Sequence, residues 1–129
     1  MLCCPAKQTP LEIHHVSLMV HDLDDALDFY TGVLGLRLRT DRPASAGRGA
    51  WLDVGGHQIH LIEGTPPPAL GQHFALRTAD LDAERERLLR RGVPVSEAVT
   101  IGTARQAFLR DPSGNQIELH ETASSRAEP

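Results

Sequence analysis

Imidazole and carboxylate groups recur in this sequence at matched places. There are seven histidines in 129 residues. His15 and His73 lie 58 positions apart, and so do His60 and Glu118. A mixed set of nitrogen and oxygen donors suits Zn, Ni, Co, Mn or Fe(II). Thiolate is missing from the set, because the two cysteines, Cys3 and Cys4, are neighbours near the start of the sequence. Adjacent cysteines exclude a disulfide framework and disfavour a structural zinc site. Four protein donors around a six-coordinate ion would leave two positions free. A substrate could fill them with two oxygens, or with one oxygen and a water. The expectation is one divalent metal ion per site, bound by His15, His60, His73 and Glu118. The alternative is a set of unrelated surface groups, which becomes hard to sustain when four fall at matched positions.

The matched positions belong to an internal repeat. Under the shift of 58, His15, Leu18, Asp22, Leu23 and Asp24 meet His73, Leu76, Asp80, Leu81 and Asp82. Ala46 meets Ala104, and Asp53, Gly56, Gln58, Ile59, Leu61 and Glu63 meet Asp111, Gly114, Gln116, Ile117, Leu119 and Glu121. Average composition would give about three such identities, against the 12 seen here. The chain reads as two modules, 11–64 and 69–121, joined by Pro66, Pro67 and Pro68. Three prolines make a stiff link, and residues 1–10 and 122–129 read as loose ends.

Each module has the same order of elements. Residues 13–20 alternate like a strand, Asp22 caps a helix over 23–34, and Gly35 stops it. Strands are expected near 36–40, 49–54 and 57–63, with Gly55–Gly56 as a hairpin turn. In the second module the strands are expected at 72–78, 93–97, 105–110 and 115–121, and the helix at 81–91. The fold class is α+β, two βαβββ modules in tandem. Alternation puts Leu18, Leu61, Leu76 and Leu119 on the helix-facing side as core. His15, His60, His73 and Glu118 point the other way.

Composition narrows the function classes. Net charge is −4, and no basic run stands out, which argues against a nucleic-acid partner. No apolar run approaches a membrane span, and no signal-peptide pattern is visible, so a cytoplasmic home is expected.

At this point the sequence resembles a known family, the vicinal oxygen chelate superfamily. It includes glyoxalase I, fosfomycin-resistance proteins, extradiol dioxygenases and bleomycin-resistance proteins. The resemblance rests on the run from His15 to Leu36, on His73-Phe-Ala-Leu76 with Asp80-Leu-Asp82, and on the run from Asp111 to Glu118. It implies paired βαβββ modules whose sheets curl around a metal-containing cleft. His15, His73 and Glu118 match the common metal positions, and His60 stands where glyoxalase I has a carboxylate. The glyoxalase resemblance also implies that Glu118 both ligates the metal and moves a proton. The function expected is a divalent-metal enzyme of the glyoxalase-like type, with lyase, isomerase or transferase chemistry on a small oxygen-bearing substrate. An extradiol-type Fe(II) dioxygenase using His15, His73 and Glu118 is an alternative. A protein that sequesters a small molecule such as an antibiotic is another. For short two-module members the resemblance favours a homodimer with ligands from both chains.

Other residues are weighed as substrate contacts. Met19 and Gly64 stand where glyoxalase I carries an arginine and an asparagine for the glutathione carboxylates. Trp51 either walls the cleft or packs in the core. Arg77 either holds a substrate anion or stands solvated. Arg105, with Thr100 and Thr103 nearby, is a candidate anion contact by resemblance to the fosfomycin type. His14, His21 and His57 are expected at the surface, and His120 shares the face of Glu118 and is a candidate to support it.

Overall fold

The structure is a computed structural model and describes residues 9–123. Cys3, Cys4 and all but residues 9, 10, 122 and 123 of the expected loose ends lie outside the described residues. The first module runs β1 (His15–Val20), α1 (Leu23–Leu27), β2 (Arg37–Leu38), β3 (Gly49–Val54) and β4 (His57–Glu63). The second runs β5 (His73–Arg77), α2 (Leu81–Arg90), β6 (Val99–Ile101), β7 (Ala104–Arg110) and β8 (Gln116–Glu121). Each module forms a mixed four-stranded sheet, ordered β1-β4-β3-β2 and β5-β8-β7-β6. The helix carries the chain from the first strand to the others, so β1 pairs with β4, and β5 with β8, in parallel. The remaining pairs are antiparallel.

The repeat identities explain how each helix starts. Asp22 accepts the backbone N–H of Asp25 at 3.0 Å, and Asp80 accepts that of Ala83 at 3.1 Å. Glu63 at the end of β4 accepts the N–H of Leu23, and Glu121 at the end of β8 accepts that of Leu81. Both carboxylates satisfy amides that the helix itself leaves unpaired, and their charge favours the helix N-terminus. Asp22, Glu63, Asp80 and Glu121 therefore serve the fold.

Two expectations are corrected. The helix expected over 23–34 is α-helical only to Leu27, then widens into a π-helical segment, Asp28–Val33. Adjacent residues on an ordinary helix diverge by about 100°. The wider turn buries Phe29 and Tyr30 together. The strand expected over 93–97 is not one. Pro94 cannot donate to a ladder, and the strand forms later, at Val99–Ile101. Val93 and Val95 pack against the core instead.

The core is as expected at Leu61 and Leu119, which are buried. Leu18 and Leu76 are only partly buried, because they sit on β1 and β5, the outer strands of their sheets. The modules are tied by side chains. Tyr30 Oη donates to Asp111 at 2.8 Å, and Asn115 Nδ2 donates to the Met19 carbonyl at 2.9 Å. Arg87 reaches the Val33 carbonyl at 2.8 Å. Burial and the Asp111 charge together raise the Tyr30 phenol above its ordinary pKa, so it stays a donor.

Candidate metal centre

In the second module, β5 and β8 place His73 and Glu118 side by side. His73 Nε2 lies 3.0 Å from Glu118 Oε1. The other ring nitrogen, Nδ1, donates to the Gly71 carbonyl at 2.8 Å. A carbonyl holding one nitrogen orients the ring and fixes which nitrogen faces the site. The Gly71 carbonyl first, and then Glu118, favour the protonated ring and raise its pKa above the ordinary imidazole value. Glu118 is buried at 8% exposure. Its second oxygen, Oε2, lies 2.7 Å from His120 Nδ1.

In the first module, β1 and β4 bring His15 and His60 together. The two rings stack with centroids 3.8 Å apart and planes 10° from parallel. His15 Nδ1 lies 2.9 Å from His14 Nδ1, so one of the two donates to the other and His15 Nε2 is left over. His60 Nε2 donates to Gln58 Oε1 at 2.8 Å, which leaves Nδ1 for another partner. Desolvation first, then the neighbouring His15 and His14, lower the His60 pKa, so its ring is neutral and able to ligate.

The donor chemistry fits a divalent ion in halves. Neighbouring positions on a six-coordinate ion with bonds of about 2.1 Å lie about 3 Å apart. His73 Nε2 and Glu118 Oε1 have that spacing. The two halves do not meet within one chain. Among the described residues there is no group of three or more His, Cys, Asp or Glu that could hold a metal ion.

The substrate candidates divide. Trp51 faces the site, paired across the strands with His60 and stacked on it at 4.8 Å and 17°. Arg77 borders a crevice of about 910 Å3 along the seam between the modules. Met19 borders a smaller one of about 320 Å3. Its Cε packs over Gly64, where an added Cβ would collide with it. Arg105 stands apart from these. It lies on the helix side of β7, held to Asp82 at 2.9 Å and to Glu121 at 3.6 Å. Thr100 lies beside it in register on β6. His14 is exposed, as expected, and it precedes β1 and stands beside the imidazole pair, 6.4 Å from His60. Phe108 escapes the sequence reading. It pairs across the strands with Glu118, as Trp51 does with His60, and meets the His73 ring edge-on at 5.3 Å.

The family model for the glyoxalase/bleomycin resistance protein/dioxygenase superfamily matches residues 12–119. The chain belongs to this superfamily. Among glyoxalase-type relatives, the "Probable lactoylglutathione lyase" of Synechocystis sp. is 31% identical over 126 residues, covering 87% of this chain and 96% of its own. The crystal structure of TnmS3, an antibiotic binding protein from Streptomyces sp. CB03234, matches with TM-score 0.76 at 32% identity, over 90% of this chain and 99% of that one. A glyoxalase family protein from Bacillus anthracis shares the fold, with TM-score 0.80 at 22% identity, over 90% of this chain and 98% of that one. No helix among the described residues is long and apolar enough to cross a membrane.

Proposed function

We propose that this superfamily member is a glyoxalase-type enzyme whose divalent-metal centre is assembled between two copies of the chain. The observation that carries it is the His73–Glu118 pair, two donors 3.0 Å apart with His73 already oriented by Gly71. One protomer would contribute His15 and His60, and the partner's His73 and Glu118 would complete the set. A bound divalent ion supplies Lewis-acid polarisation to a substrate that approaches through neighbouring oxygens.

The chain's own residues would do the rest. His73, held at Nδ1, presents Nε2. Glu118 takes a proton from the substrate carbon next to the polarised oxygen and returns it, as a general base and then an acid. Trp51 and Phe108 wall the two halves and exclude water. Arg77, which has no ion-pair partner among the described residues, would meet an anionic substrate group. Met19 packed on Gly64 gives an apolar surface where glyoxalase I has polar anchors. That favours a substrate without the glutathione carboxylates at this point.

The test is metal content after loading the apo-protein with Ni(II), Co(II) or Zn(II). Wild type should bind about one ion per chain, and His73→Ala should lose most of it. Equal content in the two proteins would sink the assignment. A second reading, capture of a flat aromatic molecule, is favoured by the Trp51–His60 stack and by the likeness to TnmS3. Tight ligand binding by metal-free protein, without turnover, would support it.

A further inference from the structure

The geometry points to His120 as a positioning residue that holds Glu118 for the metal. This inference rests on the metal-centre reading above. Glu118 and His120 are two apart on β8, so alternation puts both on the same face. The two Glu118 oxygens have different neighbours, with Oε1 at 3.0 Å from His73 Nε2 and Oε2 at 2.7 Å from His120 Nδ1. An ionised carboxylate has no proton to give, so the hydrogen in the second contact belongs to His120 Nδ1. It is the shorter of the two and is charge-assisted.

A free glutamate can turn about several torsions and ligate through either oxygen or both. Glu118 is buried, so little water competes for its oxygens. Tying Oε2 to the protein leaves Oε1 as the presented donor, next to His73 Nε2. Ordering a ligand before the ion arrives reduces the entropy lost on binding. The repeat shows the same arrangement in the other module. His60, the counterpart of Glu118, is tied through Nε2 to Gln58, also two residues away on its strand. The position that matches His120 is Ile62, which is 41% exposed and has nothing to donate. Each module therefore fastens its hairpin ligand from a neighbour on the same strand, but in opposite directions along the chain.

The test titrates apo-protein with Co(II) in wild type, His120→Phe, His120→Asn and His73→Ala. Affinity is read by competition with a chromophoric chelator, and the visible Co(II) bands are recorded alongside. Phe keeps a ring but has no donor, while Asn places an amide N–H near the position of Nδ1–H. His120→Phe should weaken Co(II) binding by about 10- to 100-fold and alter the bands, with His120→Asn recovering most of the affinity. Circular dichroism and the thermal midpoint of metal-free protein check folding. If His120→Phe does not fold, His120→Ala carries the same expectation. Wild-type affinity and bands in His120→Phe, with metal lost in His73→Ala, would overturn the role of His120 and leave the metal centre standing. Equal weakness in folded Asn and Phe variants would overturn it as well. If wild type itself takes up no metal, the metal-centre reading fails and this role fails with it.

Discussion

His73 carries the sharpest chemical consequence at the residue scale. Both of its ring nitrogens face acceptors, the Gly71 carbonyl and Glu118. Its pKa is therefore raised above 6.5. A metal must displace the Nε2 proton. Affinity for Co(II) or Ni(II) should rise as pH climbs from about 6 to about 8, with proton release on binding. An affinity that is flat with pH, together with no proton release in a weakly buffered titration, would contradict this. For the apo-protein the sign is opposite. The raised pKa stabilises the fold fully below the unfolded value near 6.5 and fades as pH rises through the higher native value. The facing of His15, His73 and Glu118 was legible because strand alternation dictates it. Phe108 was not. The first hairpin pairs Val54 with His57, while the second pairs Arg110 with Gln116 across a longer turn. Counting back from that longer turn, and not from the repeat shift, would have put Phe108 opposite Glu118.

The repeat-equivalent leucines separate at the scale of elements. Leu119 on β8 lies inside its sheet and is 4% exposed. Leu76 on β5 lies at the sheet edge and is only partly buried. Leu119→Ala should cost about 2–5 kcal/mol in a denaturant titration, and Leu76→Ala measurably less. Equal losses would mean that β5 is covered as fully as β8. The strands and helix starts were legible because their signals are local, a period of two and a capping aspartate. The π-helical segment at Asp28–Val33 was not, because the demand to bury both Phe29 and Tyr30 comes from the core they join. The strand at Val99–Ile101 was missed for a related reason. The valines at 93 and 95 look strand-like, but their task is core packing beside a proline.

At the scale of the whole molecule, the two halves of the candidate centre lie on different modules, and one chain gathers no three-ligand group among its described residues. β1 and β5 are both unpaired sheet edges toward the seam, and unpaired edges need a cover. A two-fold dimer would supply that cover and bring complementary halves together. The expectation is tested by mixing His15→Ala chains with Glu118→Ala chains after unfolding and refolding. Each homodimer lacks a ligand in both sites, while the mixed dimer has one intact site and one doubly defective site. Metal uptake that appears only on mixing supports the shared centre. No uptake from the mixture, or full uptake by a monomer, defeats it.

Because each module starts its helix the same way, the protein contains an internal comparison of one role in two degrees of exposure. Glu63 and Glu121 share one task, accepting the first amide of a helix, and each also meets an arginine, Arg48 at 2.8 Å and Arg105 at 3.6 Å. The Glu63 side chain is 29% exposed and that of Glu121 is 4% exposed. Changing each to Gln removes the same charge from the same role in a wet and a dry setting. The Glu121→Gln protein should lose about 1–3 kcal/mol, and Glu63→Gln less, since water can replace part of what the carboxylate did. The gap between the two melting curves would measure, inside a single chain, how strongly burial amplifies a carboxylate's hold on a helix start and its arginine together.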